Sequence, residues 1–248
     1  MTDATPLDYS VVIPCFNEAD NIGHLVAEVV AAGKQAPDFE IIVIDDASTD
    51  DTVARLRALM RTEPRLRVLR HGVNRGQSAA LCTGVRAARG QFIATLDGDG
   101  QNDPADVPAL LARARTLAAG GNPFVVCGHR TNRRDTLVRR WSSRIANGVR
   151  ARALRDATPD TGCGLKVLLR ETFLELPQFN HMHRFLPALV QRTGGQAVSV
   201  PVNHRPRVHG QSKYGIGNRL WVGIVDLFGV SWLIMRRFRL ATVEEVRS

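Results

Sequence analysis

Acidic and amide side chains recur in three short runs in the first half of the chain. The runs hold Asn17 and Glu18 (PCFNE), Asp46 (DDASTD), and Asp97 and Asp99 (DGDGQ). Each run directly follows a short β-branched segment that is typical of a buried strand. Because ligands bind beyond the carboxyl ends of strands in open parallel sheets, the three runs predict one shared site. Each run alone is equally typical of helix caps and turns.

The spacing of Asp97 and Asp99 predicts a cation site. Residues i and i+2 of an extended chain project to the same side, so their carboxylates can converge on one hard divalent cation. Gly98 and Gly100 let the backbone and a ligand approach closely. We therefore expect Mg²⁺ or Mn²⁺ here, with coordination positions left open for phosphate oxygens.

The segments between these runs alternate as in successive βαβ units from residue 9 to 128, which predicts an α/β fold. We expect a mostly parallel, doubly wound sheet with helices on both faces. The predicted strands are Ser10–Pro14, Glu40–Asp45, Arg67–Arg70, Phe92–Leu96 and Phe124–Cys127. The predicted helices are Asn21–Ala32, Asp50–Met60, Gly76–Ala88 and Pro104–Ala119.

The composition is strongly basic, with 33 Lys and Arg against 24 Asp and Glu in 248 residues, a formal net charge of +9. This charge suits a polyanion, an anionic membrane surface or a phosphate-bearing substrate. Nucleic-acid binding is disfavoured because only 6% of residues are aromatic and no recognition motif appears. The four cysteines form no Cys-x-x-Cys pair, which argues against a disulfide framework or a thiolate zinc site. The first residues lack a signal-peptide pattern, so we expect a cytoplasmic protein.

Arginines crowd between Arg130 and Arg155. Arginine offers a bidentate contact to phosphate that lysine does not, so this half of the chain is expected to hold an anionic group. Most of these side chains are nevertheless expected to be solvated or to face lipid headgroups, as charge runs usually are.

The apolar segment Leu220–Met235 is short for a transmembrane helix, which needs about 20 residues, and it contains Asp226. A helix buried against the domain is one interpretation. Trp221 and Trp232 near its ends, with the basic run RRFR at 236–239, favour a helix that lies in a membrane interface.

Longer runs resemble a known enzyme family. VVIPCFNE, IIVIDDASTDDT, NRGQSAAL and TLDGDGQNDP resemble the nucleotide-sugar-binding half of a family 2 glycosyltransferase with the GT-A fold, and the Asp-x-Asp-x-Gln form resembles its dolichol-phosphate mannose synthase branch. GHR, RRWSSRIAN, DTGCGLKV, HMHRFLPAL and RPRVHGQSKYG resemble bacterial polyprenyl-phosphate glycosyltransferases, so the resemblance covers residues 9–240. Many relatives carry two or more long transmembrane helices after the catalytic domain. A single short apolar segment here makes a separate membrane subunit a candidate partner.

The resemblance implies roles on the donor side. Pro14, Asn17 and Glu18 would line the base and ribose pocket. Asp46 would accept hydrogen bonds from the base, with helix capping as the alternative. Arg75, with Gly76, would belong to the nucleotide-side loop, although such a pair is also an ordinary helix entry.

The resemblance also implies the groups around the diphosphate. Asp97 would contact the ribose or the sugar, and Asp97, Asp99 and Gln101 would together hold the metal ion and the diphosphate. Residues of the RPRVHGQSKYG loop would close over the diphosphate, namely Arg207, Ser212 and Lys213. The run HMHRFLPAL contains His183 and Arg184, and for this pair a place on a surface helix or turn is the alternative to a role in the site.

On the acceptor side, the resemblance implies that Arg130, Arg139 and Ser143 contact a lipid phosphate. An acceptor phosphate is already anionic at pH 7, because its second pKa is about 6, so no catalytic base is required. Positioning and charge neutralisation would then carry the rate, with Arg130, Arg139, Lys213, Asp97 and Asp99 as the catalytic groups.

These expectations combine into a metal-dependent enzyme that transfers a sugar, with inversion, from a nucleoside diphosphate to a polyprenyl phosphate of the undecaprenyl or dolichyl type. It would act at the cytoplasmic face of the membrane as a peripheral or monotopic protein. A GT-A domain is predicted at 1–215, with a nucleotide-sugar half (9–128) and an acceptor half (129–215), followed by a membrane-interface segment (216–248). The alternatives are a family 2 transferase that extends a glycan at a hydroxyl and a non-catalytic nucleotide-sugar-binding module.

Overall fold

Seven strands form one mixed sheet, in the order β3-β2-β1-β4-β6-β5-β7. The computed structural model describes residues 7–35, 38–131, 154, 158–206 and 216–236. The strands are β1 (Leu7–Cys15), β2 (Phe39–Asp45), β3 (Leu66–Arg70), β4 (Gly90–Thr95), β5 (Phe124–Arg130), β6 (Lys166–Leu169) and β7 (Gln196–Val202). β6 is antiparallel to both its neighbours, and the other pairs are parallel. The predicted mostly parallel α/β sheet is confirmed.

Helices cover both faces of this sheet. They are α1 (Ala19–Ala32), α2 (Thr52–Leu59), α3 (Gln77–Ala87), α4 (Val107–Ala118), α5 (Arg170–Glu175), α6 (Leu186–Arg192) and α7 (Ile216–Met235). A 3-10 turn, Pro104–Asp106, leads into α4, and the Asp103 side chain accepts the Ala105 N–H at 3.0 Å, as its cap position predicts. The four helices predicted before β5 are all present, whereas β6, β7, α5 and α6 were not predicted.

The central strands are buried on both faces, which explains their continuous apolar runs. Adjacent residues of a strand point to opposite faces. Ile41 accordingly joins the core that contains Leu25 of α1, and Ile42 joins the core that contains Val85 of α3. The sheet therefore separates two hydrophobic layers and presents its carboxyl edge between them.

A buried carboxylate, Glu40 of β2, ties neighbouring segments together. Its oxygens accept hydrogen bonds from the Ser10 hydroxyl at 2.9 Å, from Arg67 at 2.5 Å and from the Arg89 N–H at 2.6 Å. Burial raises the pKa of Glu40, but these hydrogen bonds outweigh burial and leave the pKa below its ordinary value. The ionised carboxylate is therefore the form that stabilises the fold.

The last helix, α7, packs on the domain along one face. Val230 is only 1% exposed, and Leu227 and Ile234 pack against the same core. The Asp226 carboxylate pairs with His181 Nδ1 at 2.9 Å, so the charge that interrupts the apolar segment has a partner within the domain. This face fits the interpretation of a helix buried against the domain.

The other face of α7 is apolar and exposed. Phe228, Trp232 and Met235 are 73%, 56% and 75% exposed, and they follow one another at the spacing of a single helical stripe. None of the helices in the part of the chain that the structure describes has the length and apolar character to span a bilayer.

Replacing the buried carboxylate by an amide, Glu40→Gln, is expected to lower the free energy of unfolding at pH 7 by about 1 to 3 kcal/mol, because charge-assisted hydrogen bonds are lost while both arginines remain partly solvated. The depressed pKa of Glu40 stabilises the wild type above the unfolded value of about 4.3, and this contribution disappears as the pH falls through the folded pKa. Urea unfolding at neutral and acid pH should therefore show the two proteins converging in acid. Glu175→Gln, on an exposed position of α5, is the control and should change little. A constant difference at every pH would contradict this role.

Candidate functional site

The three polar runs meet at the carboxyl edge of the sheet. Cys15 at the end of β1 pairs with Asp45 at the end of β2, and β4 lies on the other side of β1. The first two runs are joined directly, because Thr49 N–H donates to the Asn17 side chain at 2.8 Å. The third run approaches the first so closely that a Cβ on Gly98 would lie 2.9 Å from the Pro14 carbonyl oxygen. Glycine at position 98 therefore permits this contact.

Glu18 helps to start α1 at this edge. Its backbone N–H donates to the Thr52 hydroxyl at 2.9 Å, and its carboxylate accepts from Asn21 at 2.7 Å. Pro14 is buried in β1. Pro14 and Glu18 therefore lie at the same edge of the sheet as Asn17.

Asp46 organises the loop between β3 and α3. Its carboxylate accepts the N–H of Arg75 at 2.9 Å and of Gly76 at 2.7 Å, and it contacts His71 Nδ1 at 2.6 Å. Since an ionised carboxylate only accepts, His71 Nδ1 donates to Asp46. The other ring nitrogen of His71, Nε2, lies 2.9 Å from the Thr83 hydroxyl oxygen. Asp46 therefore shapes the loop between β3 and α3, for which a nucleotide-side role was predicted, and the Arg75 side chain of that loop is exposed.

Asp97 is confined on several sides. Gln77 Nε2 donates to Asp97 Oδ1 at 2.7 Å, and the Asp97 N–H donates to Asn102 Oδ1 at 3.1 Å. A Cβ on Gly164 would lie 2.1 Å from Asp97 Oδ2, so only glycine fits beside this carboxylate. The Gly164 carbonyl is in turn held by the Thr95 hydroxyl at 2.6 Å.

The electrostatics around Asp97 favour a bound cation. Burial and the neighbouring Asp99 raise the pKa of Asp97 to about 6, although Lys166 and Arg130 act in the opposite direction. Lys166 is buried at the start of β6 and donates to the Cys163 carbonyl. A divalent cation between the carboxylates would relieve the repulsion from Asp99, which raises this pKa less than burial does.

Asp97 and Asp99 do not lie on an extended strand, so the prediction that strand geometry brings their carboxylates together was wrong. β4 ends at Thr95, and Gly98 and Asp99 form a turn, followed by Gly100 with a φ of +71°. The carboxylates become neighbours because glycines bend the chain here, rather than because alternate strand residues share a face.

Asp99 and Gln101, at this turn, suit a cation site that they would share with Asp97. Asp99 Oδ1 accepts the Gln101 N–H at 3.1 Å, and Gln101 Nε2 donates to the Arg205 carbonyl at 3.5 Å. The described residues contain no group of three or more His, Cys, Asp or Glu side chains able to hold a metal ion. Mg²⁺ commonly uses one or two carboxylates together with substrate phosphates, so Asp97, Asp99 and the Gln101 amide oxygen suit such an ion.

Arg130, at the end of β5, forms a two-point ion pair with Asp160. Its Nε and one terminal nitrogen donate to the two Asp160 oxygens at 2.6 and 2.7 Å, and both side chains are largely buried. The arginine thus fixes the loop that carries Gly164, a contact that the sequence analysis did not anticipate. The other predicted acceptor and loop residues lie outside the described residues, namely Arg139, Ser143, Arg207, Ser212 and Lys213.

His183 is partly buried beside the site rather than on an open surface turn. Its Nδ1 lies 2.8 Å from the Ser78 hydroxyl, and it lines a small cavity with Gln77, Asp97 and Lys166. Burial lowers the pKa of His183 to about 3, with Lys166 and other nearby positive groups acting in the same direction, so the ring is neutral at pH 7. The motifs NRGQSAAL and HMHRFLPAL contain Gln77 and His183, but their spacing alone does not reveal that they meet at Asp97.

Arg205 joins the segment after β7 to this edge. One terminal nitrogen pairs with Glu28 of α1 at 2.6 Å, and the other pairs with Asp103 at 2.7 Å. The Arg205 N–H also donates to the Gln101 carbonyl at 3.1 Å. The chain that leads into residues 207–215 is therefore anchored directly beside the DGDGQ run.

Similar sequences belong to enzymes that act on polyprenyl phosphates. The chain is 37% identical over 242 residues to dodecaprenyl-phosphate galacturonate synthase of Rhizobium johnstonii, a match over 94% of this chain and 69% of that protein. It is 33% identical to the undecaprenyl-phosphate 4-deoxy-4-formamido-L-arabinose transferase of Edwardsiella ictaluri (87% of this chain, 66% of that one). The enzyme of that name from Pseudomonas fluorescens SBW25 is 36% identical (83% and 59%). The chain thus spans roughly 59 to 69% of the length of these relatives.

Solved structures share the fold. The mannosyltransferase PcManGT of Pyrobaculum calidifontis, in complex with GDP-Man and Mn²⁺, has a TM-score of 0.65 at 22% identity (97% of this chain, 68% of that one). Glucosyl-3-phosphoglycerate synthase of Mycobacterium tuberculosis, in complex with Mn²⁺, UDP and phosphoglyceric acid, has a TM-score of 0.66 at 22% identity (94% and 80%). These similarities confirm the predicted GT-A fold. Residues 10–176 match the family described as glycosyl transferase family 2, and the chain belongs to that family.

Proposed function

We propose that the protein transfers a sugar from a nucleoside diphosphate to a polyprenyl phosphate, with inversion at the anomeric carbon and with Mg²⁺ or Mn²⁺ as cofactor. The proposal rests on one observation. At the edge of the sheet, the loop between β3 and α3, which is bonded to Asp46, meets Asp97 and Asp99. The sequence relatives named for polyprenyl-phosphate transfer support the acceptor class.

In the proposed reaction, an acceptor phosphate oxygen forms a bond to the anomeric carbon while the bond from that carbon to the diphosphate oxygen breaks. The nucleoside diphosphate leaves with the bonding electrons. A divalent cation, when bound by Asp97, Asp99 and Gln101, would neutralise charge on the departing diphosphate. Because the acceptor phosphate is itself the nucleophile, the protein needs to orient it rather than deprotonate it.

Basic side chains are assigned to the two phosphate groups. Arg130 keeps one terminal nitrogen outside its pair with Asp160, and we place that nitrogen beside the acceptor phosphate, together with Arg139 and Ser143. Lys213 would neutralise the diphosphate, and Arg207 and Ser212 belong to the same proposed loop. Arg205, held by Glu28 and Asp103, supports this assignment because it anchors the start of the loop at the site.

The contacts of Asp46 favour a uracil base. Among the residues that the structure describes, His71, Arg75 and Gly76 occupy three of the roughly four acceptor directions of its carboxylate, which leaves about one. Uracil offers a single ring N–H, whereas guanine offers a ring N–H and an amino group side by side. A single remaining acceptor direction therefore satisfies uracil and leaves one guanine donor unpaired.

A panel of nucleotide sugars tests the function. Purified protein, Mn²⁺ or Mg²⁺ and undecaprenyl phosphate are incubated with UDP- and GDP-sugars, and lipid-linked sugar is detected by mass spectrometry. We expect transfer from a UDP-sugar and, by calorimetry, UDP binding at least about tenfold tighter than GDP binding, because an unpaired buried donor costs on the order of 1 to 3 kcal/mol. Transfer to a glycan hydroxyl instead, or nucleotide binding without any transfer, would overturn the proposal.

Removing one charge at the proposed cation site, Asp99→Asn, is expected to lower turnover at saturating donor by about 100-fold or more, because charge stabilisation of the leaving group is lost. The dependence of UDP affinity on Mn²⁺, measured by calorimetry, should disappear as well. The matched control is Asp38→Asn, an exposed carboxylate at the opposite end of β2, which should keep wild-type activity. Near-normal turnover of Asp99→Asn would show that Asp99 does not serve the reaction.

We also propose that α7 docks the enzyme on the cytoplasmic face of the membrane. Its exposed stripe of Phe228, Trp232 and Met235 offers an apolar contact, and Arg236 next to it is an exposed cation. Peripheral binding usually requires both kinds of attraction.

Flotation with vesicles that contain anionic lipid measures this docking. The wild type should float at low salt and less at high salt, and the double variant Phe228→Ser/Trp232→Ser should float weakly at either. Val73→Ser removes an exposed apolar side chain from the loop between β3 and α3, and should float like the wild type. If the protein does not bind vesicles at all, we would instead assign the stripe to contact with a separate membrane subunit. If the protein resists extraction by alkaline carbonate, α7 is not a peripheral helix.

A further inference from the structure

The Asp97 carboxylate has little freedom to choose its orientation. Gly164 lies directly against Oδ2, and the hydrogen bond from Gln77 Nε2 occupies Oδ1 at 2.7 Å. The backbone of Asp97 is held by Asn102. Among the described residues, Gln77 is the side chain that bonds to this carboxylate, within the space that Gly164 leaves.

Gln77 is itself placed by contacts on both sides of it in sequence. It is the first residue of α3, and Gly76 before it adopts a φ of +85° with its N–H bound to Asp46 at 2.7 Å. Ser78 after it is hydrogen-bonded to His183 at 2.8 Å. The turn that carries Gln77 is therefore attached to Asp46 before it in sequence and to His183 after it.

The Gln77 amide can orient the Asp97 carboxylate without neutralising its negative charge. A lysine or arginine at position 77 would pair with Asp97 and weaken its attraction for a cation. An apolar residue would leave Oδ1 without a donor, next to the negative charge of Asp99. A neutral N–H donor fixes one oxygen and preserves the negative charge of the carboxylate.

We propose that Gln77 is a positioning residue, which acts through Asp97 and holds that carboxylate in the orientation that receives the cation-bound donor. This inference rests on the proposed function of the sheet edge. Because the same turn is bonded to Asp46, it also sets the separation between the base subsite and the Asp97 subsite.

A double-mutant cycle with Gln77→Met and Asp97→Asn tests this role. Methionine keeps the length of glutamine and removes the donor, so donor kcat/KM should fall about 10- to 100-fold, the effect of losing one hydrogen bond to a charged group. In the Asp97→Asn background the same change should cost less than about twofold, since the group through which Gln77 acts has been altered. Gln91→Met, at an exposed glutamine at the start of β4 and so at the opposite end of this strand from the site, is the control and should match the wild type.

Two further measurements keep the outcome decisive. Thermal unfolding checks that each variant is folded, and Gln77→Ala replaces Gln77→Met if the latter is not. Calorimetry of UDP binding with Mn²⁺ repeats the cycle without turnover. If no sugar transfer is found, the proposed function is rejected, but the binding data still test the Gln77 inference. Non-additive losses in Gln77→Met and Asp97→Asn would support the positioning role. Fully additive losses, or wild-type behaviour of Gln77→Met, would overturn it.

Discussion

Burial of the Asp97 carboxylate against Gly164 is the constraint on which the site depends. A charge beside Asp99 and away from bulk water raises the free energy of the ionised form, and the protein meets that cost with one neutral donor, Gln77, and the more distant charges of Lys166 and Arg130. The contact also requires a loop from the second half of the chain to pass within van der Waals distance of a turn in the first half. The two halves of the domain are therefore joined where the chemistry is proposed.

Ion pairs outside the site keep these loops in place. Arg130 and Asp160 hold the loop that ends at Gly164, and Arg205 holds the segment after β7 against Glu28 and Asp103. The Arg130 pair is largely buried, so its two-point geometry has to be maintained if the charges are to compensate each other. Arg130 thereby has a structural task in addition to the acceptor contact proposed for it, and the two tasks use different nitrogens.

The helix α7 illustrates how one segment serves two surroundings. Its inner face contributes Val230 to the core and pairs Asp226 with His181, which stands two residues before His183. Its outer face carries the apolar stripe that includes Phe228 and Trp232. A helix that is apolar on nearly all sides is interpreted from sequence as buried or membrane-bound. The inner face of α7 fits the first interpretation, and membrane contact is the role proposed for its outer face.

Much of the fold, and the meeting of the polar runs at one sheet edge, followed from the sequence because local physics specifies them. The continuous apolar runs of β1 and β2 predict strands buried on both faces, and the polar residues after those strands predict a ligand edge. β6 escaped prediction because it is only four residues long and begins with the buried charge of Lys166. The pairing of Asp97 with Gln77 and Gly164, and of Arg130 with Asp160, was decided by tertiary structure alone, because such contacts join residues 20 to 67 positions apart and leave no periodic signal in the sequence.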